Sequence, residues 1–317
     1  MSTERLGLNG SAVQNRQFYD TLLLHRATPN FVYLNWGKKT PIPARMGNSV
    51  NWRRLEAITT STTALTEGTR PSITNVTWTS VAATVAQYGQ FSFHSDVIVS
   101  QAIDPVVSEM VEAYGMSMSD ALDQVTRNVI VAGTTVQFAT TATSRGDLGS
   151  GDYMSLAEIN EAVSTLRNNN ALPIVDGLYI GIIHPFIERD LKADSDIISI
   201  LSNAGVRGGD NPLFKGVLGD IAGVRFIVTS NARVFSSEGL SGADVHGTMI
   251  LGKEFYGITE FGPLAARTYV KAPGSAGAQD PLDQFGSVGW KASLAVARLN
   301  ENFAVRIESI SSSENAS

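Results

Sequence analysis

The sequence predicts an α+β chain, and three observations carry that expectation. Charged residues make up 17% of 317 while Gly, Ser and Thr abound, which favours strands and loops over long charged helices or a coiled coil. A stripe of apolar residues at helical spacing runs over 104–131, and a shorter one over 156–168. Short β-branched runs lie around them without the regular alternation of a doubly wound sheet. With 43% hydrophobic residues, the chain can fill the core of one large domain or two modest ones.

Residues 1–45 read as an arm. Phe18 and Leu22–Leu24 suggest one short amphipathic helix, and Pro29, Pro41 and Pro43 then punctuate an extended stretch. Residues 46–95 read as a long β-hairpin with polar faces. S-V-N-W-R-R-L-E-A-I and I-T-N-V-T-W-T-S-V-A-A-T-V-A-Q-Y alternate around Gly68 and Pro71, and 12 of the 22 residues from Thr59 to Ser80 are Ser or Thr. An isolated two-stranded hairpin is marginal in water. This one finds no obvious partner in its own chain, which points to another subunit.

Asp104-Pro105 opens the long helix as cap and first helical residue, and Val106 to Val129 keep the apolar stripe. Its acidic residues Asp104, Glu109, Glu112, Asp120 and Asp123 meet no basic residue before Arg127, so an anionic face open to solvent or to a partner is expected. Ser155 and Glu158 form a capping box for the helix 156–168. LYIGIIHP is a buried strand running into the short helix PFIERDLKAD, and GVRFIVTS and TMILG supply two further short strands, followed by PLAARTYVKA. The closing GWKASLAVARLNENFAVRIESI reads as two strands around a turn at Asn300-Glu301-Asn302.

Charge and motif exclude much. Residues 1–60 hold eight Lys/Arg against three Asp/Glu in a chain of net charge −6, so a basic arm leads an acidic body; its diffuse charge suits an acidic neighbouring subunit ahead of phosphate. Without cysteine there is no disulfide scaffold, zinc finger or thiol nucleophile. The start MSTERLGLNG lacks the layout of a signal peptide, and no apolar run approaches the ~20 residues that cross a bilayer. A soluble, non-secreted chain is expected. No phosphate-binding glycine motif occurs, and His25, His94, His184 and His246 show no metal-ligand spacing. His184 reads as a hydrogen-bonded structural residue, and Asp194/Asp196 and Asp280/Asp283 as solvated turn carboxylates. No G-x-S-x-G elbow appears, and no catalytic constellation, cofactor or metal is expected.

Three segments carry a resemblance. IIHPFIERDL (182–191), GDIAGVRFIVTSNARV (219–234) and DPLDQFGSVGWKASLAVARLNENFAVRIES (280–309), in this order, resemble tailed-phage major capsid proteins with the Hong Kong 97-type shell fold. The resemblance implies an N-terminal arm (1–45), an extension loop (46–95) lying over a neighbouring subunit, and a peripheral domain (96–154) with a spine helix at 104–131. It further implies an axial domain (155–262) and a return to the peripheral domain through C-terminal strands (263–317). On this reading Arg53, Arg54, Glu67 and Arg70 of the extension loop make inter-subunit contacts, and Arg207, Gly208, Gly209 and Asp210 form an axial loop. His184, Pro185, Asp190, Trp290 and Asn300 pack the family motifs, and Arg5, Arg16 and Arg26 place the arm near DNA.

The implied function is self-assembly of the icosahedral shell around the double-stranded DNA of a tailed bacteriophage. Its implied partners are further copies of the chain in hexameric and pentameric capsomers and a portal at one vertex. A decoration protein and packaged DNA, held by weak electrostatic contact, are further candidates. The chain has no long charged helical prefix, which favours a separate scaffolding protein. No lysine occurs between Lys39 and Lys192, so the lysine cross-link of the fold's namesake is not expected in the extension loop. No membrane contact is expected; assembly in the bacterial cytoplasm would deliver the chain to the virion. An encapsulin-like cage of the same fold, or a soluble bacterial enzyme or binding module, are the alternative readings.

Overall fold

The computed structural model describes residues 31–313, apart from 44, 46, 57, 102–105, 204–219, 260–265 and 276–279. In chain order it has strands β1 (Lys38–Lys39), β2 (Ser49–Leu55), β3 (Trp78–Thr84) and β4 (Ala86–Ser95), then helices α1 (Asp96–Gln101) and α2 (Val106–Val131). Strand β5 (Val136–Phe138), helix α3 (Leu156–Asn168), strand β6 (Tyr179–Ile183) and helices α4 (Pro185–Ala193) and α5 (Ser195–Asn203) follow. The remainder is β7 (Asp220–Ile221), β8 (Val224–Val228), β9 (Arg233–Phe235), β10 (Val245–Leu251), β11 (Tyr256–Thr259), β12 (Arg267–Lys271), β13 (Phe285–Arg298) and β14 (Ala304–Ile310).

Two sheets organise the molecule. The first is ordered β1-β11-β13-β12, with β4 also paired to β13, and the second β5-β14-β10-β6-β8-β7, with β9 paired to β10. The 14-residue β13 is the hub of the first sheet, since β4, β11 and β12 all pair with it in antiparallel register. Helix α2 lays Val111, Tyr114, Met118 and Leu122 on that sheet, at the three- and four-residue spacing its sequence foretold. Its 26 residues span about 39 Å at ~1.5 Å each, and they run through Gly115 without a break. In the second unit α3 and α4 bury Ile159, Val163, Leu166, Ile187 and Leu191 against β6, β10 and β14. Each such side chain contributes roughly 1.5–3 kcal/mol relative to exposure.

Local chemistry explains the helix starts. The Ser155 hydroxyl accepts from the Ala157 N–H at 3.2 Å, and the Glu158 carboxylate accepts from the Ser155 N–H at 2.9 Å, the expected capping box. Pro185 stands at the first position of α4, where a missing N–H costs nothing, and the His184 side chain caps it by accepting from the Phe186 N–H at 3.3 Å.

The structure corrects four expectations. Of the arm expected over 1–45, residues 1–30 and the helix expected around Phe18–Leu24 lie outside the described residues, and the rest is no separate limb: Tyr33, Leu34 and Ile42 are buried, and Tyr33 and Leu34 lie in the first core. The hairpin is shorter than 46–95, because only Ser49–Leu55 and Trp78–Thr84 pair with each other. Residues 86–95 leave it to pair with β13, and the Ser/Thr-rich span between β2 and β3 holds no strand, having little to bury. The two C-terminal strands are not a hairpin: β13 stays in the first sheet while β14 crosses into the second, between β5 and β10. The return expected for 263–317 therefore divides at the 3₁₀ turn Glu301–Phe303, where the Asn300 side chain accepts from the Asn302 N–H at 3.3 Å. Finally, Asp123 does not belong to a solvated anionic face but is buried, and its Oδ1 accepts from the N–H groups of Val32 and Tyr33.

Candidate assembly surface

The span between β2 and β3 projects from the body. Every described residue from Ile58 to Trp78 is exposed, including Leu65 and Ile73 at more than 70%. Arg53, Glu67 and Arg70 are exposed with it. Arg54 is the exception among the expected contact residues: its guanidinium turns back to the Glu56 carboxylate at 3.0 Å and the Leu299 carbonyl at 3.3 Å, within the same chain.

A second apolar surface lies on the face of the first sheet turned away from α2. Alternation along β4 directs Ser92 to the Tyr114 hydroxyl of α2, and Phe91 and Phe93 to the opposite face. Phe91 and Phe93 meet edge to face at 5.3 Å, Phe93 lies 6.4 Å from Phe285, and all three are more than half exposed. They border a groove of about 870 Å³ that also takes in Tyr269, Lys271 and Lys291. Contiguous exposed aromatic surface of this kind marks an interaction site. Beneath it Trp290 is buried, as expected of a packing residue. Asp280, read from the sequence as solvated, is buried at the groove's end, where it accepts the Phe285 N–H at 2.7 Å.

The second unit carries polar locks that sequence reasoning only partly located. Asp190 of α4 accepts from the Ser311 hydroxyl at 2.9 Å and from the Ser312 N–H and hydroxyl at 2.8 and 2.6 Å, which ties the helix to the end of β14. Burial pushes its carboxyl up, but these hydrogen bonds outweigh that and hold it below the usual range. His184 and His246 stack with ring centroids 4.7 Å apart. Burial, and then His246, lower the pKa of His184 to about 4. Glu308, fully buried in β14, receives Arg145 through two nitrogens at 2.7 Å and Arg306 at 2.7 Å, while the Arg145 guanidinium covers the Phe235 ring at 3.5 Å. No sequence motif announces either cluster, because their members lie 62 and 163 residues apart.

Among the described residues no group of His, Asp or Glu is placed to hold a metal ion, and no helix is long and apolar enough to cross a membrane. Arg5, Arg16 and Arg26, and the loop residues Arg207, Gly208, Gly209 and Asp210, lie outside the described residues, as do Asp104 and Pro105.

A family model of phage capsid proteins matches residues 78–307, from the hairpin's return strand to the middle of β14. The chain belongs to the phage capsid protein family. Solved structures agree with that assignment at the level of fold. The capsid of Ralstonia phage GP4 is 15% identical and superposes with a TM-score of 0.68, covering 87% of each chain. The capsid of the cyanophage P-SCSP1u is 14% identical with a TM-score of 0.69 over 89% of each chain. The capsid of the cyanophage Pam1 is 15% identical with a TM-score of 0.68, over 90% of this chain and 92% of that one. No curated protein matches the chain by sequence. This phage capsid protein is a major capsid protein of the Hong Kong 97-type shell fold, and its place is the virion.

Proposed function

We propose that the chain assembles into hexameric and pentameric capsomers of an icosahedral shell around the double-stranded DNA of a tailed phage, in a structural and non-enzymatic role. The observation that carries this reading is the span between β2 and β3, whose apolar residues Ile58, Leu65, Ile73 and Val76 are left exposed by the described residues. Such a segment is costly in a monomer and useful in a lattice. Arg53, Glu67 and Arg70 then form ion pairs between subunits. Each contributes only ~0–1 kcal/mol, so strength comes from many simultaneous contacts. The loop Arg207–Asp210 lines the capsomer axes, and Arg5, Arg16 and Arg26 approach packaged DNA. A separate scaffolding protein, a portal and a decoration protein complete the set of partners, and assembly proceeds in the host cytoplasm before the shell enters the virion.

Electron microscopy of the purified full-length chain, fractionated by sedimentation with and without candidate scaffold, tests the proposal. Closed shells, or rings of five and six subunits, are expected. A monomer that persists under every condition would overturn it. An enzyme packed inside shells from the native host, in place of DNA, would favour the encapsulin-like cage.

A further inference from the structure

One side chain dominates the joint between the hairpin and the body. The Trp52 indole of β2 lies over the backbone of β11 at Gly257, where an added Cβ would stand 2.8 Å from the ring atoms Cε2 and Cζ2. Leu299 walls the same slot, with its Cδ1 3.3 Å from that position. The indole N–H donates to the Thr40 hydroxyl at 3.1 Å. Thr40 is itself bound to β11, through its N–H to the Ile258 carbonyl at 2.9 Å and through its carbonyl, which accepts the Thr259 hydroxyl. Trp52 thus grips both the sheet and the segment that leads into the hairpin. Two residues on, and so on the same face of β2, Arg54 reaches the Leu299 carbonyl. Beside this seat the hairpin is not packed shut. A cleft of about 540 Å³ separates it from the turn at 299–303, bordered by Arg53, Asn169, Glu254 and Asn302.

We propose that Trp52 seated on Gly257 is the positioning contact that sets the direction of the hairpin against the first sheet, and through it the curvature at which subunits meet. The inference rests on the capsid reading above. Close approach of the ring to backbone requires a residue without Cβ, which is the role of Gly257. The seven-residue β2 is about 24 Å long at ~3.4 Å per residue, and the projecting span extends the lever. A tilt at the root is therefore multiplied at the tip. The cleft leaves room for the tilt on the side of the turn at 299–303, so the seat limits the angle there.

The test compares full-length wild-type, Gly257→Ala, Trp52→Ala and the double variant Gly257→Ala/Trp52→Leu. Particle diameters are measured by electron microscopy, and thermal unfolding of the unassembled chains is followed in parallel. Both single variants are expected to lose the wild-type diameter class in favour of open, tubular or differently sized particles. The double variant, whose smaller side chain makes room for the new methyl, is expected to recover wild-type diameters that Gly257→Ala lost. Wild-type diameters in both single variants, or a double variant no better than Gly257→Ala, would overturn the clamp. If Gly257→Ala unfolds, Trp52→Ala decides alone, since it empties the slot without adding atoms to β11. Wild-type chains that form no particle would overturn the capsid reading, and this inference with it.

Discussion

The Asp123 carboxylate of the spine helix lies 2.7 Å from the backbone nitrogen of Tyr33, ninety residues earlier in the chain. Its Oδ1 also accepts the Val32 N–H at 3.0 Å. One buried side chain thereby satisfies backbone donors that would otherwise be orphaned where the N-terminal segment enters the first core. Burial pushes the Asp123 carboxyl above its usual range, and the backbone hydrogen bonds only partly offset that. The Tyr256 hydroxyl donates to the Tyr33 carbonyl and completes the anchor. The described segment ahead of the hairpin is thus tied to α2 through Asp123 and to β11 through Tyr256 and β1.

Replacing Asp123 by Ala orphans two N–H groups at a cost of about 1–3 kcal/mol each. The variant is expected to unfold at lower denaturant and to become sensitive to protease between Phe31 and Ile42 before the rest of the chain. Asp123→Asn keeps an acceptor oxygen and should lose less. Equal losses in both variants would show that hydrogen bonding to the N-terminal segment is not what Asp123 supplies.

Glu308 faces two guanidinium groups with no exposure of its own. Glu308→Ala leaves Arg306 without its counter-charge and Arg145 with Glu238 alone, and is expected to destabilise the chain by about 3–5 kcal/mol in chemical denaturation. A loss below about 1 kcal/mol, the scale of an exposed pair, would remove this cluster from the list of structural locks.

His184 gives the second unit a pH dependence of known sign. Its pKa falls from 6.5 to about 4 on folding, through burial and then the neighbouring His246. As pH drops, the unfolded chain therefore takes up the proton first. The stability His184 supplies is complete above pH 6.5 and is lost as pH falls toward 4. His184→Gln should flatten the decline of the unfolding midpoint across that window, with the remainder due to His246, whose pKa burial also lowers. A decline as steep as wild-type would assign it to other groups.

Deleting residues 58–72 removes only exposed chain from between β2 and β3. The shortened subunit is expected to keep the wild-type unfolding transition and to form no closed shell. Normal shells would show that this span does not hold neighbours together, and a collapsed transition that it serves the fold itself.

Elements whose determinants are local were legible in the sequence. The capping box at Ser155 and Glu158 places α3 because its hydrogen bonds join residues three apart. The apolar stripe of α2 and the Pro185 start of α4 follow from the same short range, as does the bare Ser/Thr-rich span with nothing to bury. The core position of Trp290 fits its apolar neighbourhood. The shell-protein reading came from the resemblance of the segments 182–191, 219–234 and 280–309, with the order of elements in agreement.

Only the tertiary structure decided which strands pair and which polar residues are buried. Strand β4 reads as part of a hairpin until β13, some two hundred residues later, takes it as a partner. Strands β13 and β14 look joined by a turn, yet they part into different sheets, β13 pairing with β4 and β14 with β10. Asp123, Glu308 and His246 carry no mark of burial in the sequence. Their burial depends on partners 62 to 163 positions away. Local spacing fixes the face a side chain presents, whereas the identity of what covers that face is set by contacts that exist only once the chain has closed on itself.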